Sequence, residues 1–297
     1  MSERCGFVAV VGAPNAGKST LVNALVGQKV AIVTPKAQTT RTRLMGIALD
    51  GEAQILLIDT PGLFEPRRRL DRAMVAAAWG GAQDADLIAL VVDSARGLTR
   101  NLEATLERLR ERREPKMLVL NKIDLVKKDA LLALAAEFNA RAPFEETFMI
   151  AATSGDGVAD LKQWLARRVP EGPWHFPEDQ VSDVTDRMLA AEITREQLYL
   201  QLHAELPYDS AVDTERFEER ADGSIAIHQQ ILVARDSQKG IVLGKSGARL
   251  KEIGSRAREE LSALLGKKVH LFLHVKVDPK WGENRSLYRD IGLDWVE

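Results

Sequence analysis

The sequence is short of nearly every feature that would announce an unusual protein. Its 297 residues contain a single cysteine, Cys5, which excludes an internal disulfide and suits a reducing compartment. A small residue beside the first strand is the expected use of that thiol. No apolar run reaches the roughly 18 to 20 residues that a membrane-spanning helix needs. The opening "MSERCGFVAVVGAP" lacks a signal-peptide layout, because its apolar run is short and leads straight into a glycine loop. A cytoplasmic location is therefore expected. The net charge is only −2, so any electrostatic preference for nucleic acid has to be local. Internal repeats and low-complexity tracts are missing too. What remains is an ordinary globular composition, 45% hydrophobic and 28% charged, with a length that suits two domains.

From Gly6 to Val169, short apolar runs alternate with amphipathic segments. The runs are "FVAVVG", "AQILLIDT", "LIALVVDS", "KMLVLNK" and "TFMIAAT". Continuous Val/Ile/Leu runs suit parallel strands buried on both faces. The segments between them, Asp71–Ala78, Asn101–Arg112 and Ala130–Ala140, have helical spacing. The alternation predicts a doubly wound α/β sheet with ligands at the carboxyl ends of its strands. "PEGPWHFPEDQVSD", from Pro170, reads as a linker and hinge, with Trp174 and Phe176 expected to pack on a domain. A helical run from Val184 to Leu206 follows, then strands in "SIAIHQQILVA" and "KKVHLFLHVKV", separated by a helical Ala248–Leu265. The division expected is 1–170, a linker at 171–183, and a smaller α+β domain at 184–297.

"GAPNAGKST", Gly12 to Thr20, follows an apolar strand and precedes an apolar helix, the context that a P-loop requires. Its glycines let backbone amides turn inward around phosphate at a helix N-terminus. Lys18 can span the β- and γ-phosphates, and the Ser19 hydroxyl can ligate Mg²⁺. "DTPG", Asp59 to Gly62, ends another strand; Asp59 can hold Mg²⁺ through water and the Gly62 amide can sense the γ-phosphate. "NKID", Asn121 to Asp124, ends a third. The Asp124 carboxylate can accept two hydrogen bonds from guanine, a donor pair that adenine lacks. Between the first two motifs, "TPKAQTTRTR" offers a threonine, Thr40 in preference to Thr39, that would complete the Mg²⁺ shell when a γ-phosphate is present.

These four motifs, with the "QTTR" form of the switch, resemble the translation-factor-related GTPases and, within them, the Era group. The resemblance implies a fifth element at "IAATSGDGV", where the Ala152 amide would touch guanine O6; the group's usual serine is replaced by Ala151. The implied nucleotide set is Gly12, Ala13, Pro14, Asn15, Ala16, Gly17, Lys18, Ser19 and Thr20, then Asp59, Thr60, Pro61, Gly62 and Leu63, then Asn121, Lys122, Ile123, Asp124 and Ala152. Ser19, Thr40 and Asp59 would hold the metal, and Lys18, Thr40 and Gly62 would serve catalysis. Leu63 stands where signalling GTPases place a water-orienting glutamine, so slow hydrolysis is expected. Asn15 matches the asparagine of relatives that use K⁺ in place of an arginine finger.

A second Gly-Lys-Ser, in "LGKSGARLKEIG", is not a second P-loop: Lys239 stands where the leading glycine should be. Gly244-Lys245-Ser246-Gly247 fits a Gly-x-x-Gly loop between a short "IVL" strand and a helix, the layout of a KH domain, which clamps about four nucleotides. Local charge agrees. Lys239 to Lys276 carry nine Lys/Arg against three acids, whereas Glu205 to Asp222 carry seven acids against two Arg. This half resembles the type II KH domain of the same group. The resemblance implies 16S rRNA near its 3′ end and the 30S subunit as partners, not DNA, with Arg249 and Lys251 on phosphates, and leaves peripheral association with the inner membrane open. His270 and His274 are expected to be outward strand residues, and Trp281, Tyr288 and Trp295 to be packing residues.

Overall fold

The computed structural model describes residues 2–36, 39–41, 43–64, 66, 68–83, 85–202, 206, 208–285, 288 and 293–296, except the side chains of 81–83. The chain forms two compact units. One comprises the residues up to Ala31 and Thr40–Asp183; the other comprises Ile32–Thr39 and Val184–Trp295.

The first unit is a six-stranded sheet in the order β2-β3-β1-β4-β5-β6. Strands β1 (Arg4–Gly12), β3 (Ala53–Asp59), β4 (Leu87–Asp93), β5 (Lys116–Asn121) and β6 (Glu146–Met149) run parallel, as their continuous apolar runs predict. Strand β2 (Leu44–Asp50) pairs antiparallel with β3 at the edge; "LMGIALD" does not stand out from its flanks in the sequence. The helices are α1 (Lys18–Val26), α2 (Arg69–Gln83), α3 (Arg100–Glu111), α4 (Lys128–Arg141) and α5 (Val158–Arg168). Ala9 and Val11 of β1 join a core with Ala78, Leu102, Leu106, Leu109 and Phe138 of α2, α3 and α4. The alternate positions Val8 and Val10 are fully buried as well, because α1 and α5 pack on the sheet.

The proline-rich tract is not a free tether. Cys5 N donates to Pro170 O at 3.0 Å, Gly172 N to Glu3 O at 3.0 Å, and Ile47 N to Val181 O at 2.9 Å. Gln54, fully buried, donates to Phe176 O at 2.8 Å and accepts from His175 N and Phe176 N. Trp174 and Phe176 pack on Cys5, Met45, Ile47 and Leu56, which is the expected packing role. Lying along β2, the tract covers an edge that would otherwise present unpaired backbone groups.

The second unit follows the order α6 (Asp186–Gln201), β7 (Ser210–Glu219), β8 (Ile225–Val233), α7 (Asp236–Leu243), α8 (Ala248–Leu265) and β9 (Val269–Val277). β8 pairs antiparallel with β7 and parallel with β9. Three sequence expectations need correction. "IVL" is the end of a helix, not a strand: the Gln238 side chain accepts from the amides of Ala234 and Arg235 and caps α7, and Val242 is fully buried in the core. Strand β7 went unread because its seven acids mask the alternation. The helix expected over Val184–Leu206 stops at Gln201; Leu202 and Leu206 keep apolar spacing because they enter the same core. Inside that core Thr194 donates to Gln229 Oε1 at 2.6 Å, and Gln229 donates to Thr214 Oγ1 at 3.1 Å. A buried relay of this kind is fully satisfied only in one register of α6 on β7 and β8.

Candidate nucleotide site and nucleic-acid loop

Strand register brings the first unit's motifs to one end of the sheet. Val10 lies beside Asp59, Gly12 beside Val91, and Asp93 beside Asn121. The loop then enters α1 at Lys18, so the first amides of that helix open toward the loop. Gly17 has φ 93°, and a Cβ there would stand 2.2 Å from Asn121 Nδ2, so no other residue fits. The Leu63 amide donates to Gly12 O at 3.0 Å, drawing the segment after Asp59 onto the loop. Lys18 is buried and donates to Gly12 O at 3.3 Å and Ala13 O at 3.1 Å. Burial lowers its pKa to about 8, against the raising effect of Asp59.

Asp59, Ser19 and Thr40 meet. Ser19 Oγ donates to Asp59 Oδ2 at 2.6 Å, Thr40 Oγ1 donates to the same atom at 3.2 Å, and the two hydroxyls are 2.8 Å apart. The other oxygen, Asp59 Oδ1, is buried with no hydrogen-bond partner. Burial raises the Asp59 pKa, opposed by Lys18 and the two hydroxyls. One carboxylate and two hydroxyls beside a phosphate loop form the hard oxygen set that Mg²⁺ takes, and the orphaned oxygen is where a cation's water would serve. Thr60 has another use: its hydroxyl donates to Val10 O at 2.7 Å and braces the strand ends. Gln38 and Thr42 of the switch segment lie outside the described residues.

On the base side, Asn121 ties three loops together. It donates to Ala16 O at 2.9 Å and accepts from Ala152 N at 3.0 Å. The amide assigned to guanine O6 is thus directed at Asn121 Oδ1. Lys122 donates to Asn15 O at 2.8 Å and to Asp93 Oδ2 at 2.6 Å, which clamps the loop from above. Asp124 is exposed and makes no hydrogen bond or ion pair among the described residues, as a carboxylate that receives a ligand should.

In the second unit, Gly244–Gly247 joins α7 to α8. Gly244, Ser246 and Gly247 all have positive φ (69°, 51° and 78°), which folds the loop tightly and turns Lys245 and Ser246 into solvent. A Cβ on Gly244 would stand 2.8 Å from Arg249 Cβ, whereas one on Gly247 would meet nothing within 4 Å. Gly247 therefore leaves open surface. Arg249 donates to Ile241 O at 3.0 Å and braces the loop; Lys251 is exposed. No group of three or more His, Cys, Asp or Glu suited to a metal occurs among the described residues, and His274 is exposed on β9. Trp281 and Tyr288 are buried and Trp295 packs on Tyr288, with ring centroids 5.0 Å apart.

Comparison with known proteins decides the family. Residues 7–122 match the family model described as a 50S ribosome-binding GTPase, and 205–282 match that of the KH domain. The chain is 60% identical to GTPase Era of Erythrobacter litoralis, over 99% of this chain and 98% of that one. The chain belongs to the Era family of GTPases. GTPase Era of Dinoroseobacter shibae is 59% identical over 98% of this chain and 96% of its own. A crystal structure of Era in complex with MgGDPNP and nucleotides 1506–1542 of 16S ribosomal RNA is similar with a TM-score of 0.93 and 38% identity, over 98% of this chain and 99% of that one. An Aquifex aeolicus Era variant bound to GDP·AlF4⁻ gives 0.92 at 38% identity, over 97% and 99%.

Two residues of this Era-family chain escape motif reading. Asp93 anchors Lys122, and its only signal is an acid at the end of a buried strand, "VVDS". Ile241, 48% exposed at the end of α7, presents an apolar surface beside Gly244, where an unstacked base would rest.

Proposed function

We propose that this chain is a cytoplasmic GTP-operated switch that grips single-stranded RNA near the 3′ end of 16S rRNA during maturation of the 30S subunit. One observation carries the reading: full-length similarity, at a TM-score of 0.93, to an Era whose crystal holds both MgGDPNP and nucleotides 1506–1542 of 16S rRNA.

The chemistry follows from the residues in turn. Lys18, released from the carbonyls of Gly12 and Ala13, reaches the β- and γ-phosphates. Asp124 pairs with guanine, and Asn121 holds the loops that frame it. Ser19, Thr40 and Asp59 hold Mg²⁺, which, when bound, offsets charge on the phosphate oxygens. The Gly62 amide lies beside the loop and reports the γ-phosphate. Leu63 is buried and apolar, so no side chain there orients water, and hydrolysis by the chain alone is slow. Asn15 is the residue through which K⁺ would act. Gly244 to Gly247 receive an RNA backbone, with Lys245 and Lys251 on phosphates and Ile241 under a base.

The test is fluorescence anisotropy with a labelled RNA matching the 3′ end of 16S rRNA, in GTP analogue, in GDP and without nucleotide. Gly247→Asp is the informative variant, because nothing within 4 Å obstructs its side chain and Asp tolerates positive φ. Affinity is expected to change with nucleotide state and to fall about tenfold or more in the variant, as added negative charge meets phosphate. Equal affinity in all three states would refute the switch. Binding indifferent to Gly247→Asp would refute the loop and favour a protein or membrane partner for the second domain.

A further inference from the structure

Residues Ile32–Thr39 lie in the second unit although Ala31 and Thr40, on either side, lie in the first. Several bonds fasten them to α6. The Val33 amide donates to Glu196 Oε1 at 2.8 Å, and the Lys36 ammonium donates to the carbonyls of Tyr199 and Leu202 at the helix C-terminus. Cations are favoured there, since the last carbonyls lack partners within the helix. Ile32 is buried in a core with Ala190, Ile193 and Ala257. Finally, Arg195 Nη2 donates to Thr39 O at 2.6 Å.

Arg195 is unusually well placed to hold that carbonyl. It is 3% exposed, its guanidinium is paired with Glu192, and its Cζ lies 5.2 Å from the Tyr199 ring centroid. A planar guanidinium fixed on two sides loses little freedom in making a third contact. The carbonyl it holds belongs to the peptide unit whose nitrogen is Thr40's. Because that unit is planar, fixing its oxygen restricts the direction in which Thr40 leaves. Thr40 in turn sets its hydroxyl against Ser19 Oγ and Asp59 Oδ2.

We propose that Arg195 is a positioning residue for GTP hydrolysis: by holding the Thr39 carbonyl, it keeps the Thr40 hydroxyl at the Ser19–Asp59 cluster. The inference rests on the reading of Thr40 as a metal ligand. It makes helix α6 of the RNA-binding unit part of the machinery that sets the rate of the GTPase. Lys36 assists by pinning the same segment to the end of that helix.

The experiment measures phosphate release by the full-length protein across GTP and Mg²⁺ titrations. Arg195→Met should lower kcat about tenfold, the equivalent of one charge-assisted hydrogen bond, and raise the Mg²⁺ needed for half-maximal rate. KM for GTP should stay within about twofold, because the loop and base contacts are untouched. Arg195→Lys should restore at least half of the loss. Lys36→Met should act in the same direction by about threefold, and it carries the test if Arg195→Met melts early by circular dichroism. In a Thr40→Ala background, Arg195→Met should add nothing, since both act through one hydroxyl. Wild-type kcat and Mg²⁺ dependence in both Arg195→Met and Lys36→Met, with Thr40→Ala slow, overturns the inference and leaves the reading of Thr40 intact. A Thr40→Ala protein as fast as wild type overturns both.

Discussion

Replacing Asn121 by alanine removes the one side chain that ties the phosphate loop to the base-side loops. Two buried groups lose their partner: the carbonyl of Ala16, a residue 1% exposed, and the amide of Ala152, 6% exposed. An orphaned buried group costs about 1–3 kcal/mol, so the pair costs about 2–6 kcal/mol, less whatever water entering the gap recovers. A net loss of about 3 kcal/mol is expected. For a unit of this size each kcal/mol moves the midpoint by about 2–4 °C, so calorimetry of the nucleotide-free protein should show a fall of about 6–12 °C. The transition to follow is the one that GDP raises, since a ligand stabilises the unit that binds it. GDP affinity should weaken about tenfold or more, because Ala16 and Ala152 no longer share a tether. Asn139→Ala is the control: its amide bonds Ala135 O and Thr147 Oγ1 on an exposed surface, and its loss should cost no more than about 0.5 kcal/mol. An Asn121→Ala protein that melts within 2 °C of wild type by calorimetry, with GDP affinity changed by less than about twofold, would refute the reasoning.

Other outcomes are open to direct measurement. Burial lowers the Lys18 pKa to about 8, from an ordinary 10.5, and bound phosphate raises it. Nucleotide affinity should therefore fall as pH rises above about 8, up to tenfold per unit, and Lys18→Met should abolish that slope. The sign for stability is opposite. Between about 8 and 10.5 the unfolded chain binds more protons at this position, so the nucleotide-free fold gains from Lys18 as pH rises; a gain surviving in Lys18→Met would refute that assignment. If Asn15 holds K⁺ during turnover, phosphate release will be faster in KCl than in NaCl at equal ionic strength, and equal rates would end that reading.

The nucleotide site was legible in residue types because its chemistry depends on backbone and charge at fixed spacings. Gly17, Lys18, Ser19, Asp59 and Asp124 are identified by their order along the chain, and strand register then brings them to one end of the sheet. Asp93 was not legible. An acid ending a strand acquires meaning only when Lys122, distant in sequence, bends back to it with φ 64°. Helix α7 was misread for a related reason. Three apolar residues in "IVL" fit either element, and what decides between them is the Gln238 side chain accepting two amides at the helix start. Strand β7 shows the same limit from the other side, since its acids stand on an exposed face while Val212 and Thr214 pack inward.

By itself the sequence determined the two chemistries of this chain, a guanine-nucleotide loop and a Gly-x-x-Gly loop with a basic helix, because each is written in a few contiguous residues. Only the tertiary structure decided where the switch segment belongs. No local pattern in "TPKAQTTRTR" predicts that Lys36 caps a helix beginning at Asp186, or that Arg195 holds Thr39 while Thr40 turns to Asp59. Contacts separated by some 150 residues have no period and no motif. They exist because folding brings helix α6 and residues 32–39 into one core.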